Sequence, residues 1–203
     1  MSVKVKICGL TRLEEVGFAN KLLPDYVGFI FAERSRRRIS LKTAEEFKRS
    51  LHSSISVVGV FVNAPASEVV KCVNQKIIDV VQLHGAESPE YVASLKNLLG
   101  DVTIIKAYRV DSCGDCRSAN ESNADVVLLD NGNGGTGQVF NWDFVSEIKR
   151  PYFLAGGLSP ENIGIALSRL KPYCVDVSSG VETNGVKDFH KMERVVKLVR
   201  DVK

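Results

Sequence analysis

Two side chains that could move protons stand at the ends of predicted strands. Cys8 ends the alternating run "VKVKIC" at residues 3–8, and Asp130 ends the apolar run "VVLLD" at 126–130. A thiolate can remove a proton and a protonated carboxylic acid can supply one, so this pair offers the parts of general acid–base catalysis. For either residue alone the structural alternative is a small buried thiol or a carboxylate that starts a loop.

A lysine and an aspartate lie on otherwise apolar strands. Lys6 shares a strand face with Cys8, because side chains two residues apart point to the same side. Asp176 lies within "VDVSS" at 175–179 and needs a partner if it is buried. If the first and last strands are neighbours, we expect Lys6 to pair with Asp176 and to favour the thiolate of Cys8.

A glutamine and a histidine form the next polar pair. Gln82 and His84, in "QLHG" at 82–85, share one face of a predicted strand. A polar pair that faces inward at the end of a strand indicates substrate positioning. A core histidine whose hydrogen bonds are satisfied by the protein is the alternative.

Strand-like and helical stretches alternate along the chain and would position these side chains. The helical stretches include "NWDFVSEIK" at 141–149 and two that begin with Ser-Pro, at 88–89 and 159–160, where serine would cap the helix. The strand-like runs are "VKVKIC", "YVGFIF", "SVVGVFV", "DVVQLH", "TIIKAYRV", "DVVLLD", "YFLAGG" and "YCVDVSS".

Strands that alternate with helices predict parallel βαβ units, and eight of them in residues 1–203 predict a single-domain α/β fold, a (β/α)8 TIM barrel of minimal size. An open doubly wound sheet is less favoured, because no strong dinucleotide-binding fingerprint follows the first strand. In such barrels the chemistry lies at the carboxyl ends of the strands, where Cys8 and Asp130 would face each other.

Glycine-rich turns follow the last three predicted strands. The turns after strands 7 and 8 are the recurrent phosphate site of this fold, so they predict that backbone N–H groups bind a phosphate. The phosphate candidates are Gly156, Gly157, Ser179 and Gly180. A third loop, "NGNGGTGQ" at 131–138, is a candidate lid through Gly134, Gly135, Thr136 and Gly137.

Composition limits the remaining classes of function. The chain is 44% hydrophobic and 25% charged with a net charge of +3, which is typical of a globular protein that suits small anionic substrates. No apolar run predicts a membrane span. Five scattered cysteines favour a reducing, cytoplasmic compartment. The "CGDC" run at 113–116 lacks a second ligand pair for zinc and is interpreted as two free thiols at a helix start.

A basic run, "ERSRRRIS" at 33–40, follows the second predicted strand. Without interleaved aromatic residues it gives poor support for nucleic-acid binding. A solvated loop is one alternative, and an arginine that holds a carboxylate with two hydrogen bonds is another.

With these residues in place, the sequence closely resembles the phosphoribosylanthranilate isomerase family of tryptophan biosynthesis over essentially the whole chain. The shared runs are "KICGLT" at 6–11, "GFIF" at 28–31, "SRRRIS" at 35–40, "GVFVN" at 59–63, "QLHG" at 82–85, "LLD…GGTG" at 128–137, "AGGLSPEN" at 155–162 and "VDVSSGVE" at 175–182.

The resemblance implies an Amadori rearrangement of N-(5-phosphoribosyl)anthranilate to 1-(2-carboxyphenylamino)-1-deoxyribulose 5-phosphate. It implies Cys8 as the general base, Asp130 as the general acid and Arg37 as the residue that binds the anthranilate carboxylate. Arg36 and Arg38, which flank Arg37, are alternatives for the last role. Asp130 would need a pKa above the ordinary ~3.9 in the working complex.

The expected partner is a small phosphosugar, with no nucleic acid, membrane, metal or cofactor, and the protein is expected to be a cytoplasmic monomer or homodimer. Two other classes stay open from the residues alone. One is a different phosphosugar barrel enzyme, such as indole-glycerol-phosphate synthase or a pentose-phosphate epimerase, although neither the lysine acid nor the metal ligands are evident. The other is an anion-binding barrel or a redox protein that uses "CGDC".

Overall fold

Eight parallel strands close into a barrel in the computed structural model of this chain, which describes residues 2–131 and 141–201. Each strand pairs with the next, and the last closes on the first, where Lys6 lies opposite Asp176. The predicted barrel is confirmed. The strands are β1 (Lys4–Cys8), β2 (Tyr26–Ile30), β3 (Ser56–Phe61), β4 (Val80–Leu83), β5 (Ile104–Arg109), β6 (Val126–Asp130), β7 (Tyr152–Leu154) and β8 (Cys174–Val177).

Helices connect most of the strands on the outside. Ser88 caps the fourth helix as expected, because its hydroxyl oxygen accepts a hydrogen bond from the Tyr91 N–H. The helices are α1 (Leu13–Leu22), α2 (Leu41–Ser50), α3 (Ala66–Asn74), α4 (Pro89–Leu99), α5 (Cys113–Asn120), α6 (Ile163–Arg169) and α7 (Phe189–Arg200).

Two expected helices differ from the prediction. The stretch 141–149 forms only a 3-10 helix, Trp142–Glu147. The Ser-Pro stretch at 159–160 forms a turn, and α6 begins only at Ile163. Ser159 still makes hydrogen bonds like those of a cap: its hydroxyl accepts from the Glu161 N–H at 3.3 Å, and its N–H donates to the Asn162 side chain at 2.9 Å.

The interior of the barrel changes from apolar to polar along the strands. Alternate residues point inward, and the lower layer contains apolar side chains such as Val58, Ile105, Leu128 and Phe153, which are at most 1% exposed. Further along the strands the inward positions hold Lys6, Gln82 and Asp176. The apolar layer closes the barrel beneath these polar residues, and a cavity opens above them at the carboxyl ends of the strands.

A short hairpin follows β8. Its strands, β9 (Glu182–Thr183) and β10 (Val186–Lys187), pair antiparallel through Asn184 and Gly185, which both have positive φ. An Asn-Gly turn of this kind matches the twist of a two-residue hairpin loop. The hairpin places Glu182 and Lys187 side by side.

The helices in the described ranges are all too short or too polar to cross a membrane. All five cysteines lie in the described part of the chain and none forms a disulfide. Cys113 is exposed and Cys116 is buried at the start of α5, so the "CGDC" run forms two free thiols, as interpreted from the sequence.

Candidate active site

A cavity of about 520 Å³ opens at the carboxyl ends of the barrel strands. Its volume is in the range of sites for small ligands. The candidate lid residues, Gly134, Gly135, Thr136 and Gly137, lie outside the described residues. The other candidate residues all line the cavity: Cys8, Arg37, Gln82, His84, Asp130, Gly156, Gly157, Asp176, Ser179 and Gly180.

A larger groove of about 700 Å³ lies elsewhere, beside the 3-10 helix. Both of its arginines are already engaged, since Arg150 donates to backbone carbonyls such as that of Ser122, and Arg169 pairs with Asp143. It lacks the combination of a thiol, a carboxylate and glycine turns found in the smaller cavity. We therefore locate the candidate chemistry in the smaller cavity.

Cys8 ends β1 at the floor of the cavity and is 7% exposed. The neighbouring position on β2 is Gly28, where an added Cβ would lie 2.6 Å from the Cys8 Sγ. Any larger residue at that position would push the thiol away. The absence of a side chain at Gly28 therefore leaves room for the thiol.

Lys6 and Asp176 form the expected ion pair, with Nζ and Oδ2 2.7 Å apart. Burial lowers the pKa of Lys6, but the charges and hydrogen bonds of Asp176 and Cys8 together raise it by more, so the ammonium stays charged. Burial raises the pKa of the Asp176 carboxyl, and Lys6 opposes this rise without cancelling it. Lys6 therefore keeps its positive charge next to Cys8, while the charge of Asp176 acts against the thiolate.

The thiol of Cys8 responds to both its burial and this lysine. Burial raises the pKa of Cys8, and Lys6 lowers it by charge and hydrogen bonding. The effect of Lys6 has the direction expected from the sequence, but burial outweighs it and the net shift is upward. In this environment the thiol is therefore mostly protonated at neutral pH.

Gln82, His84 and Asp130 form a chain across the opposite side of the cavity. The amide Nε2 of Gln82 is 2.8 Å from Nδ1 of His84, and Nε2 of His84 is 3.2 Å from Oδ2 of Asp130. The His84 side chain is 32% exposed, so it is not a core histidine. Gln82 is 1% exposed and lies deeper in the barrel.

Arg37 makes two side-chain hydrogen bonds and is more buried than the arginines on either side of it. Its Nε and Nη2 donate to the two carboxylate oxygens of Glu182, at 2.6 and 2.8 Å. The side chain of Arg37 is 12% exposed, whereas that of Arg36 is 63% exposed. Arg38 is exposed and does not line the cavity. This geometry favours Arg37 among the three alternatives.

Glu182 and Lys187 were not identified from the sequence. Lys187 donates to Glu182 at 2.6 Å and is buried with it. Burial alone raises the pKa of Glu182, but hydrogen bonds from Arg37 and Lys187 lower it to about 2. Burial lowers the pKa of Lys187. The available signal was the run "ETNGVK" at 182–187, in which an Asn-Gly turn predicts that its flanking charged residues meet.

The turns after β7 and β8 lie against each other. A Cβ on Gly180 would lie 2.0 Å from the Leu158 carbonyl oxygen, so only glycine fits this close approach. Among the described residues, the N–H groups of Gly157 and Gly180 donate no backbone hydrogen bond outside their own turns. These N–H groups can therefore bind an anion.

The ranges 2–131 and 141–201 contain no group of three or more His, Cys, Asp or Glu side chains that could hold a metal ion. What the cavity contains is a thiol beside a buried ion pair, a carboxylate reached by a histidine, an arginine and a glycine-lined anion site. These parts suit proton transfer on a small ligand that carries negative charge at both ends.

Known proteins match this chain along nearly its whole length. Residues 5–198 match the sequence profile of a family described as N-(5'phosphoribosyl)anthranilate (PRA) isomerase. A curated relative from Caldanaerobacter subterraneus subsp. tengcongensis, named N-(5'-phosphoribosyl)anthranilate isomerase, is 46% identical over 206 residues, which cover 98% of this chain and 99% of the relative.

Two solved structures are also similar. The phosphoribosyl anthranilate isomerase of Thermus thermophilus has a TM-score of 0.89 at 33% identity, covering 99% of this chain and 100% of the other. A phosphoribosyl anthranilate isomerase in complex with reduced 1-(o-carboxyphenylamino)-1-deoxyribulose 5-phosphate has a TM-score of 0.84 at 33% identity, covering 98% and 100%.

Proposed function

This chain belongs to the N-(5'-phosphoribosyl)anthranilate isomerase family, and from that premise we propose that it catalyses the family's reaction in tryptophan biosynthesis with Cys8 as base and Asp130 as acid. The reaction is the Amadori rearrangement of N-(5-phosphoribosyl)anthranilate to 1-(2-carboxyphenylamino)-1-deoxyribulose 5-phosphate. It is an internal redox isomerisation in which carbon 1 of the sugar is reduced and carbon 2 is oxidised.

The first step opens the furanose ring. Asp130 gives its proton to the ring oxygen as the bond from that oxygen to carbon 1 breaks. The lone pair of the anilino nitrogen forms a double bond to carbon 1, which gives an iminium ion. Asp130 must therefore carry a proton when the substrate is bound, and it becomes a carboxylate in this step.

The second step removes the proton from carbon 2. The Cys8 thiolate takes this proton, and the electrons of the broken bond form a double bond between carbons 1 and 2 while the nitrogen becomes neutral. The resulting enolamine loses its hydroxyl proton and gains one at carbon 1 to give the ketone. The positive charge of Lys6 stabilises the thiolate that starts this step.

The two ends of the substrate are anions, and the cavity has a candidate group for each. Arg37 would bind the anthranilate carboxylate with the part of its guanidinium group that does not face Glu182. The N–H groups of the turns that contain Gly156, Gly157, Ser179 and Gly180 would bind the phosphate. Gln82, His84 and Asp176 would lie along the sugar between these ends.

We further propose that residues 1–203 form one domain that works in the cytoplasm on a small phosphosugar, without nucleic acid or membrane, as a monomer or homodimer. A gel-filtration profile with light scattering would decide between the last two. No geometric feature of the described residues favours a redox role for the "CGDC" run, because Cys113 and Cys116 lie on α5, outside the cavity.

The proposal is carried by one observation, the meeting of a thiol and a carboxylate in a single cavity between two anion-binding groups. An assay of isomerisation by loss of substrate fluorescence, before and after thiol alkylation, tests it. We expect turnover to fall in proportion to the fraction of Cys8 that is alkylated, which mass spectrometry of the peptides measures. A Cys113→Ser variant is the control, because it removes the exposed thiol and should be inactivated equally. Full turnover after Cys8 is alkylated would contradict the proposal.

A further inference from the structure

We propose that Gln82 is a positioning residue for the acid: it holds His84 in the neutral form that carries its proton on Nε2, directed at Asp130. This inference rests on the proposed role of Asp130 and extends it to two residues that were expected to contact the substrate. In this account Gln82 acts through His84 and does not itself touch the reacting atoms.

The protonation state of His84 follows from which atoms face each other. An amide nitrogen carries hydrogens and has no lone pair to offer, so Nε2 of Gln82 can only donate to Nδ1 of His84, 2.8 Å away. Nδ1 must then accept, and the single ring proton of a neutral imidazole is on Nε2. That nitrogen is the one near Asp130, with Nε2 3.2 Å from Oδ2.

The position of Gln82 makes this arrangement hard to reverse. Gln82 is in the middle of the barrel wall, paired with Val60 on β3 and Ile105 on β5, and is 1% exposed. Its amide oxygen is buried and has no hydrogen-bond partner within the described residues. Rotating the amide by 180° would instead place its two N–H donors where the oxygen is now. Buried N–H donors without a partner are rarer in proteins than buried carbonyl oxygens without one.

The charged groups around His84 carry both signs. The titratable and charged groups that share the cavity are Cys8 from β1, Asp130 from β6, Asp176 from β8, and Arg34, Arg36 and Arg37 from the loop after β2. The nearest carboxylate, Asp130, attracts a proton to His84. A second proton on Nδ1 would point at the N–H of Gln82, so Gln82 opposes this charge.

A neutral His84 suits the work of the acid. An imidazolium beside Asp130 would stabilise the carboxylate before the reaction and so withdraw the proton that the ring oxygen needs. A neutral Nε2–H stabilises the carboxylate as its negative charge develops, but less strongly than a full positive charge would. A neutral His84 therefore assists the acid with less ionisation of Asp130 beforehand.

The histidine protons can be observed directly. The chain has three histidines, so a sample labelled with ¹⁵N in histidine gives few signals, and the His84→Gln and His52→Gln variants assign them. Near neutral pH we expect the ¹⁵N shifts of His84 to report a neutral ring protonated on Nε2. A ring protonated on Nδ1, or on both nitrogens, would overturn the inference. Activity does not enter this measurement.

Two substitutions of Gln82 connect this state to turnover. Gln82→Glu replaces the donor by an acceptor, so we expect His84 to become doubly protonated. Its kcat near neutral pH should fall about tenfold or more, which is part of the ~100- to 10,000-fold rate contribution of general acid catalysis. Gln82→Met keeps the size and removes the donor, so the His84 ring should be a mixture of neutral tautomers. Its kcat should fall less than that of Gln82→Glu. KM should change little in both variants.

The outcomes separate this inference from the proposed function. If Gln82→Met and Gln82→Glu keep normal kcat values across pH while His84 changes its protonation, the positioning role of Gln82 is overturned. If Asp130→Asn keeps normal turnover, the acid assignment itself fails, whatever the histidine signals show. The exposed His52 provides the matched control, since His52→Gln should change neither kcat nor the His84 signals.

Discussion

The two sides of the cavity support their proton-transfer residues in different ways. On the base side, Cys8 lies next to a buried ion pair, Lys6 with Asp176, at 2.7 Å. On the acid side, Asp130 is reached through an amide and an imidazole, those of Gln82 and His84. The base therefore has a paired ammonium beside it, and the acid has an imidazole nitrogen 3.2 Å away.

This difference matches what each residue must do. A thiol has to lose its proton, which a neighbouring ammonium favours, whereas the acid has to keep its proton until the ring opens, which an ammonium would oppose. The two sides of the cavity thus place different groups beside their proton-transfer residues, although burial leaves the Cys8 thiol mostly protonated. The placement of charge, more than the choice of thiol or carboxyl, distinguishes the two roles.

The largest effect is expected from removing the acid. Asp130→Asn keeps the shape of the side chain but cannot give its proton to the ring oxygen, so turnover should fall by ~100- to 10,000-fold. Steady-state kinetics with the fluorescence assay measure this. Asp143→Asn, at a side chain that is 70% exposed, is the control and should keep its activity. Equal turnover in both variants would contradict the assignment of Asp130 as the general acid.

A large loss of stability is expected from breaking the ion pair of the base side. Lys6→Met leaves the Asp176 carboxylate buried without its ammonium, which should lower the free energy of unfolding by roughly 3–5 kcal/mol. Urea denaturation measures this loss. Lys6→Met combined with Asp176→Leu should recover most of it, because no charge then remains unpaired. A single variant as stable as the wild type would show that the pair contributes no such constraint.

The arginine that recognises the carboxylate should show its effect in substrate binding. Arg37→Ala removes hydrogen bonds to a charged group, worth ~1.5–3 kcal/mol each, so KM should rise by about tenfold or more with a smaller change in kcat. Arg38→Ala removes an exposed arginine of the same run that does not line the cavity. If both variants raise KM equally, the run acts only as a general positive patch.

The smallest effect concerns the support of Arg37 and depends on pH. Glu182 has its pKa lowered from 4.5 to about 2, so the stability that its charge contributes is present above the unfolded pKa and is lost as the pH falls through about 2. The difference in unfolding free energy between wild type and Glu182→Gln should therefore be largest above pH ~4.5, at roughly 1–3 kcal/mol, and shrink in stronger acid. A difference that is constant with pH would contradict this account.

The sequence predicted the barrel and the inner face of its strands well, because both depend on local periodicity. Lys6 and Asp176 could be paired from the residue pattern alone, since closure of the barrel places the first and last strands together. The period-two pattern likewise put Gln82 and His84 on one side. These relations depend only on strand register and direction.

The remaining features depend on tertiary contacts that periodicity does not encode. Glu182 lies beyond the last barrel strand, so its contact with Arg37 depends on how the hairpin of residues 182–187 packs against the loop after β2. Ser159 makes hydrogen bonds like those of a helix cap, yet residues 160–162 form a turn, because the cap motif does not fix where the regular helix begins. The upward pKa shift of Cys8 reflects burial, which a sequence pattern cannot measure.

The most direct test of the central claim is turnover of Cys8→Ser beside Cys8→Ala at several pH values. Binding of a reduced product analogue and thermal melting control for the site and the fold. A serine keeps the shape but is a far weaker base, so both variants should lose at least the ~100-fold expected for a general base while they still bind the analogue. A Cys8→Ser protein with near-normal turnover would contradict the assignment of Cys8 as the residue that takes the proton from carbon 2.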